Sequence, residues 1–321
     1  MTIFRLGYVA MSKHVSNASP SRMMTYQQFK QIEDREAAIA KLERIASTNL
    51  HNTLRLLKHN KANKISFYRL SSKLIPLATH EELAHWNYIK NVKEELQEIG
   101  HFAIQNNMRI DFHPDHYVVL NTPHKEKLKS SLHILRYHYR LLTSMGLNPA
   151  HRCVLHLGGA YQDKEASLER FIENWAYIPT PIQSMVLLEN DDTLYTMEDC
   201  LYICEKLSIP FVFDLHHHHA NHYHPNWLQH WERAIATWKN SPFPIKVHLS
   251  SPRSKHDFNS HADYVEDETF YSFMKQVNQS VPQVDCMIEA KQKDDALFQL
   301  VHDLQQREGI ELVTPTEIKV L

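Results

Sequence analysis

At 321 residues, 43% of them hydrophobic, the chain is long enough to bury one large α/β core. A formal charge of −2 excludes a globally basic nucleic-acid binder, so any grip on phosphates has to be local. Only 6 glycines occur and no G-x-G-x-x-G or G-x-x-x-x-G-K-[ST] string is present, which excludes a nucleotide-cofactor loop, and no apolar run approaches the ~20 residues of a membrane span.

Short apolar, β-branched runs alternate with amphipathic segments along the whole chain. The runs begin at Ile3 (IFRLGYV), Ile65 (ISFYRLS), Met108 (MRIDFH), Arg152 (RCVLHLG), Met185 (MVLLEN), Pro210 (PFVFDLH), Ile245 (IKVHLSS) and Val284 (VDCMIEA). Helical periodicity predicts helices over 38–57, 83–104, 128–142, 168–175, 197–207, 227–238, 270–277 and 296–304. Eight strands, each followed by a helix, predict a single-domain (β/α)8 TIM barrel spanning 1–321. A doubly wound open sheet is the alternative, weakened by the missing glycine turn. Arg5 interrupts the first apolar run, which does not read as a signal peptide. Cys153, Cys200, Cys204 and Cys286 show no C-x-x-C spacing and read as buried thiols of a reducing cytoplasm.

Histidine is the outlier, at 24 residues. His113 ends the third strand, His156 lies in the fourth and Glu189 ends the fifth. Asp214 ends the sixth, with His217 three residues on; His248 lies in the seventh and Glu289 ends the eighth. A lone strand histidine is usually a hydrogen-bonded core residue, and a carboxylate at a strand end usually caps the next helix. Six successive strands ending this way are different, because a parallel barrel brings those ends to one rim. Unpaired buried carboxylates are strongly disfavoured, and divalent cations such as Zn²⁺, Mn²⁺ or Fe²⁺ relieve that cost. Three or four ligands per ion is usual, so about eight candidates imply two or three ions, the pattern of phosphoester cleavage.

Lys246 precedes His248 by two residues and therefore points the same way. Either it pairs with a carboxylate such as Glu289, or it has lost its positive charge. The loop after the seventh strand supplies Arg253 and Lys255, with His261 and Asp263 spaced to approach one ion. Lys13, Arg69, Lys73, Lys291 and Lys293 recur near other rim loops, as a phosphate track or as solvated charge.

The strings LGYV (from Leu6), YRLSS (from Tyr68), HPDHYVVLN (from His113), LHLGG (from Leu155), LLEND (from Leu187), FDLHHH (from Phe213), KVHLSS (from Lys246), HADYV (from His261) and MIEAKQKD (from Met287) resemble, in order, the UV damage endonuclease family. The ligand arrangement is more distantly similar to endonuclease IV. The resemblance implies damaged double-stranded DNA as partner and a cluster of three divalent ions, usually manganese, with Zn, Mg or Co as other occupants. It implies hydrolysis immediately 5′ to cyclobutane dimers, 6-4 photoproducts and abasic sites, leaving 3′-hydroxyl and 5′-phosphate ends. Carried over, His113, His156 and Glu189 bind one ion, and Glu189 bridges to a second held by Asp214, His248 and Glu289. His217 and His261, with Asp263, hold the third. Catalysis falls to Glu189, Lys246, His248 and Glu289, with Lys246 matching a lysine the family carboxylates. His116 and Tyr117 match a pair that wedges into the duplex, His116 standing where glutamine is common, and Tyr8 matches an aromatic near the flipped lesion. Arg253 and Lys255 complete the DNA contacts.

Other readings remain. A metal-dependent sugar isomerase shares the barrel and rim but leaves His116–Tyr117 unexplained. An abasic-site nuclease is nearer. A metal storage or sensor protein built on His216–His219 would cluster its ligands in that tract.

Overall fold

A computed structural model describes all 321 residues. In chain order the elements are β1 (Ile3–Val9), α1 (Tyr26–Lys30), α2 (Arg35–Ala62), β2 (Phe67–Arg69), α3 (Lys93–Gln105), β3 (Arg109–Asp111), α4 (Lys125–Ser144) and β4 (Cys153–His156). They continue with α5 (Lys164–Trp175), α6 (Thr180–Gln183), β5 (Val186–Glu189), α7 (Met197–Leu207), β6 (Phe211–Asp214), α8 (Leu215–Ala220), α9 (Trp231–Thr237) and β7 (Ile245–Leu249). The last are β8 (Pro252–Ser254), β9 (Asp257–His261), α10 (Asp267–Val277), β10 (Gln283–Ile288), α11 (Asp294–Leu304), β11 (Ile310–Thr314) and β12 (Glu317–Val320).

Eight strands, β1 to β7 and β10, run parallel and nearly close into a barrel. Between β3 and β4 the ladder thins to one bridge, Phe112 to Cys153, held by Phe112 N donating to Arg152 O at 2.8 Å and Val154 N to Phe112 O at 3.0 Å. All eight sequence-predicted strands are there, and the open-sheet alternative falls. The helices wrap this wall because each has one apolar stripe to bury. On α4 that stripe is Leu132, Leu135, Leu141 and Leu142, and on α11 it is Leu297, Leu300, Val301 and Leu304. One continuous apolar cluster runs from β1 to β12, and all four cysteines are buried and unpaired within it. No helix is long and apolar enough to cross a membrane.

Two hairpins were not foreseen. β11–β12 folds back so that β12 pairs antiparallel with Ile3, Phe4 and Arg5 of β1. β2 is only three residues long and covers Gly7–Val9, so the first half of that β1 edge would otherwise leave its backbone groups unpaired. β8–β9 is a second hairpin, in the loop that carries Arg253 and Lys255. Gly7 lets β1 and β2 meet closely, since a Cβ there would lie 2.2 Å from Phe67 O.

The barrel interior departs from the usual filling of branched apolar residues. At its base the Asp285 carboxylate binds Arg5 (Nε at 2.8 Å) and Arg109 (Nη1 at 2.7 Å). One layer up, Lys246 Nζ lies 2.7 Å from Asp111 Oδ2, both side chains fully buried. The residues two further along β3 and β7 are His113 and His248. The alternation that puts ions in the barrel wall therefore also aims these histidines at its mouth.

Candidate metal centre

Glu189, at the end of β5, is the hub of that mouth. Its side chain is 1% exposed, yet His113 Nε2 stands 2.9 Å from Oε2, with His156 Nε2 3.8 Å from the same oxygen. On the other side His248 Nδ1 is 2.7 Å and His217 Nδ1 3.5 Å from Oε1. Two compact donor groups result, His113–Glu189–His248 and Glu189–Asp214–His217, each with donor atoms within 4.8 Å of one another. Glu189 belongs to both, as a bridging ligand would. His248 groups here with His113, whereas the family carry-over put it with Asp214. Glu289 joins from β10, with His248 Nδ1 3.2 Å from Oε1 and His261 Nδ1 3.9 Å from Oε2.

Local structure fixes these side chains. Asp214 is the N-cap of α8, and its Oδ1 accepts from His217 N at 2.7 Å. Capping and site-facing roles coexist, because Oδ2 is buried without a hydrogen-bond partner. Asn190 braces the pair: its Oδ1 accepts from Asp214 N at 2.9 Å, and its carbonyl lies 2.9 Å from His217 Nδ1. His113 Nδ1 lies 3.1 Å from Pro114 O, so donation there leaves Nε2 as the lone-pair nitrogen. His216 differs from its neighbour. Both its nitrogens are engaged, Nδ1 with Ser250 Oγ at 2.6 Å and Nε2 with Phe258 O at 2.7 Å, so it clamps the β8–β9 hairpin and is no ligand.

Burial dominates the electrostatics, with Arg69 and the site carboxylates acting on top of it. Burial raises the Glu189 carboxyl and lifts Asp214 to about 7. Burial depresses His113 to about 3 and His248 well below its ordinary value, with Arg69 adding to both. His217 goes the other way: burial opposes protonation, but Asp214, Glu189 and Glu289 outweigh it and hold the ring at about 9. Such a donor set, with the bare Asp214 Oδ2 and an unpartnered buried His156 Nδ1, fits divalent cations.

Arg69 is a correction to the rim-charge reading. It is 5% exposed, with Nη1 2.6 Å from Glu289 Oε1 and Nη2 2.7 Å from His248 Nε2. Glu289 is held well below the usual carboxylate range, burial acting upward but Arg69 and the histidines prevailing. Lys246 pairs with Asp111 and not with Glu289. Asp111 went unnoticed although it stands two residues before His113, the same spacing as Lys246 before His248. Asn190 likewise hid in plain view beside Glu189.

The remaining sites lie outside this cluster. His116 and Tyr117 sit in an exposed turn after β3, Tyr117 being 63% exposed. Arg253 and Lys255 are exposed on the β8–β9 hairpin, Arg253 Nη1 lying 3.3 Å from Asp257. Asp263 is exposed, and its backbone carbonyl accepts from Gln292 N at 3.1 Å. Tyr8 is fully buried, its hydroxyl donating to Asn60 Oδ1 at 2.7 Å, so in this conformation it offers no face to a base.

The family model described as UV-endonuclease UvdE matches residues 4–320. A "UV DNA damage endonuclease" of Halalkalibacterium halodurans is 52% identical over 316 residues, covering 98% of each chain. The crystal structure of SacUVDE superposes with a TM-score of 0.83 at 31% identity, covering 94% of this chain and 98% of that one. Endonuclease IV from Thermus thermophilus matches with a TM-score of 0.55 at 11% identity, over 89% of this chain and 93% of its own, a likeness of fold.

Proposed function

The chain belongs to the UV-endonuclease UvdE family, and from that premise we propose that it hydrolyses duplex DNA immediately 5′ to UV photoproducts, and at abasic sites, using a multi-metal centre around Glu189. The observation that carries this is the buried set of imidazoles and carboxylates converging on Glu189 at the carboxyl ends of the strands, where barrels of this kind place their chemistry. His113, His156, Glu189, Asp214, His217, His248, His261 and Glu289 would hold the ions, manganese first among the candidates. Bound there, such ions lower the pKa of water and stabilise charge on a phosphate and a departing oxygen.

The net reaction adds water across one bond. The water oxygen bonds to phosphorus, the P–O3′ bond breaks, and the 3′ oxygen takes a proton to leave a 3′-hydroxyl beside a 5′-phosphate. This chain's residues orient and shield the site. Asn190 and the α8 cap fix Asp214 and His217, and Arg69 supplies a permanent cation beside Glu289. His116 and Tyr117, exposed beside the mouth, are suited to fill the gap left by extruded bases, a step that costs a few kcal/mol and least at an already distorted dimer.

Lys246 is proposed to be carboxylated in the metal-loaded protein. Burial pulls its amine down to about 8, with Asp111 opposing and Arg69 and Arg109 assisting. The neutral amine is the form that adds CO₂: an N–C bond forms, one proton leaves, and the remaining N–H can still donate to Asp111.

The test is cutting of a duplex carrying one cyclobutane dimer, with end mapping and elemental analysis of the same preparation. Incision one bond 5′ to the dimer, more than one ion per chain, and loss of more than one ion in Glu189→Ala are expected. Full activity with at most one ion would end the multi-metal reading, and no incision of damaged duplex would end the nuclease reading.

A further inference from the structure

The turn that leads from β10 into α11 holds a lysine in a conformation suited to glycine. Lys293 has φ +59° and ψ −124°, the dihedrals of the first central residue of a type II′ turn, and Asp295 N donating to Gln292 O at 3.1 Å closes that turn. A side chain there is strained, and strain of this kind persists only where the surroundings enforce it. Asp294, the next residue, does so. Its buried carboxylate accepts from Ser12 Oγ, from Lys13 N at 2.7 Å and from His59 Nε2 at 3.0 Å, tying the turn to the loop after β1 and to α2. Glycine would relieve the strain without disturbing that anchor, so the strain is specific to the lysine side chain at this position.

Lys293 lines an open pocket with Val9, Ser260, His261, Glu289 and Lys291, at the edge of the metal centre. Glu289 attracts its ammonium, but Glu289 already holds Arg69 at 2.6 Å, and Lys293 joins none of the ion pairs of the site. Burial, Arg69 and Lys13 all disfavour its charged form. A half-buried cation crowded by other cations and without a carboxylate of its own is short of an anion. The anion that comes to this mouth is a DNA phosphate.

We propose that Lys293 is a substrate-binding residue whose ammonium grips a backbone phosphate of the DNA strand beside Glu289, and that its strained turn is kept to aim it there. The inference rests on the nuclease reading above. The test measures kcat/KM of the metal-loaded protein on dimer-containing duplex over a range of salt, for the parent, Lys293→Met, Lys293→Arg and Lys293→Gly, together with thermal midpoints and metal content. Each phosphate contact contributes about 0.9 to the slope of log affinity against log salt. Lys293→Met and Lys293→Gly are expected to lose about 0.9 of the slope and about ten-fold in kcat/KM at low salt, with metals retained. Lys293→Arg should keep the slope, and Lys293→Gly should melt above the parent because its turn is relaxed. A methionine variant with the parent's slope, or a glycine variant no more stable than the parent, overturns the assignment while leaving the nuclease reading intact. Failure of the parent itself to cut would remove both.

Discussion

Replacing Lys246 by methionine keeps the length of the side chain and deletes its charge, leaving Asp111 without its hydrogen-bonded partner. Both members of the pair are fully buried, and Asp111 Oδ1 already lacks a partner, so losing the 2.7 Å contact to Oδ2 strips the carboxylate completely. Breaking a buried pair from one side costs about 3–5 kcal/mol. Asp111→Asn approaches the same cost from the other side, since Arg69 and Arg109 both disfavour the Lys246 ammonium left behind. The double variant buries no unpaired charge at this level, only an imperfectly satisfied amide worth about 1–3 kcal/mol. Two single losses of about 3–5 kcal/mol each against about 1–3 for the double variant are far from additive, with a coupling energy of at least about 3 kcal/mol. Urea unfolding of chelator-treated protein measures this, provided the m-values agree across the four proteins. Chelation matters because a lysine carboxylated in a metal-loaded protein would no longer carry the positive charge that this cycle probes. Additive losses within about 0.5 kcal/mol would refute the ion-pair argument.

Other expectations address separate parts of the molecule. His138 is buried against Phe112 and Tyr137 with its pKa lowered to about 4 by burial, from an ordinary 6.5. The unfolded chain thus binds a proton between those values that the folded chain refuses, so stability is lost as pH falls from about 6.5 to about 4, by roughly 3 kcal/mol. His138→Leu should flatten that part of the acid limb, and an unchanged limb would contradict the assignment. His217→Ala should lower metal content, whereas His216→Ala should spare it and instead raise amide exchange in the β8–β9 hairpin; the reverse pattern would exchange their roles. Tyr117→Ala should cut dimer-containing duplex at least ten-fold more slowly with its metals retained, since stacking on an aromatic ring is worth about 1–3 kcal/mol. Cutting at the parent rate would remove the wedge.

The sequence by itself determined the eight barrel strands, because short apolar runs alternating with amphipathic segments mark them, and it set Lys246 and His248 on one side of theirs, because side chains two apart on a strand share a face. It also gathered His113, Glu189, Asp214, His248 and Glu289 at one rim, since they close or follow strands that a parallel barrel brings to one end. Period says which way a side chain points but neither its depth nor who stands across from it; those depend on the stagger of neighbouring strands and on closure. Hence Lys246 was rightly aimed inward, yet its partner, Asp111, came from a strand 135 residues away. Arg69 looked like a surface cation because arginine usually is one, and only closure placed Glu289 and His248 near enough to hold it in the interior. In the run of four histidines the sequence marked His217, three residues after Asp214, but gave no role to His216. Successive residues of α8 point about 100° apart, so the first ring turns under the β8–β9 hairpin and the second toward Glu189, and tertiary contact alone gave His216 its clamping role.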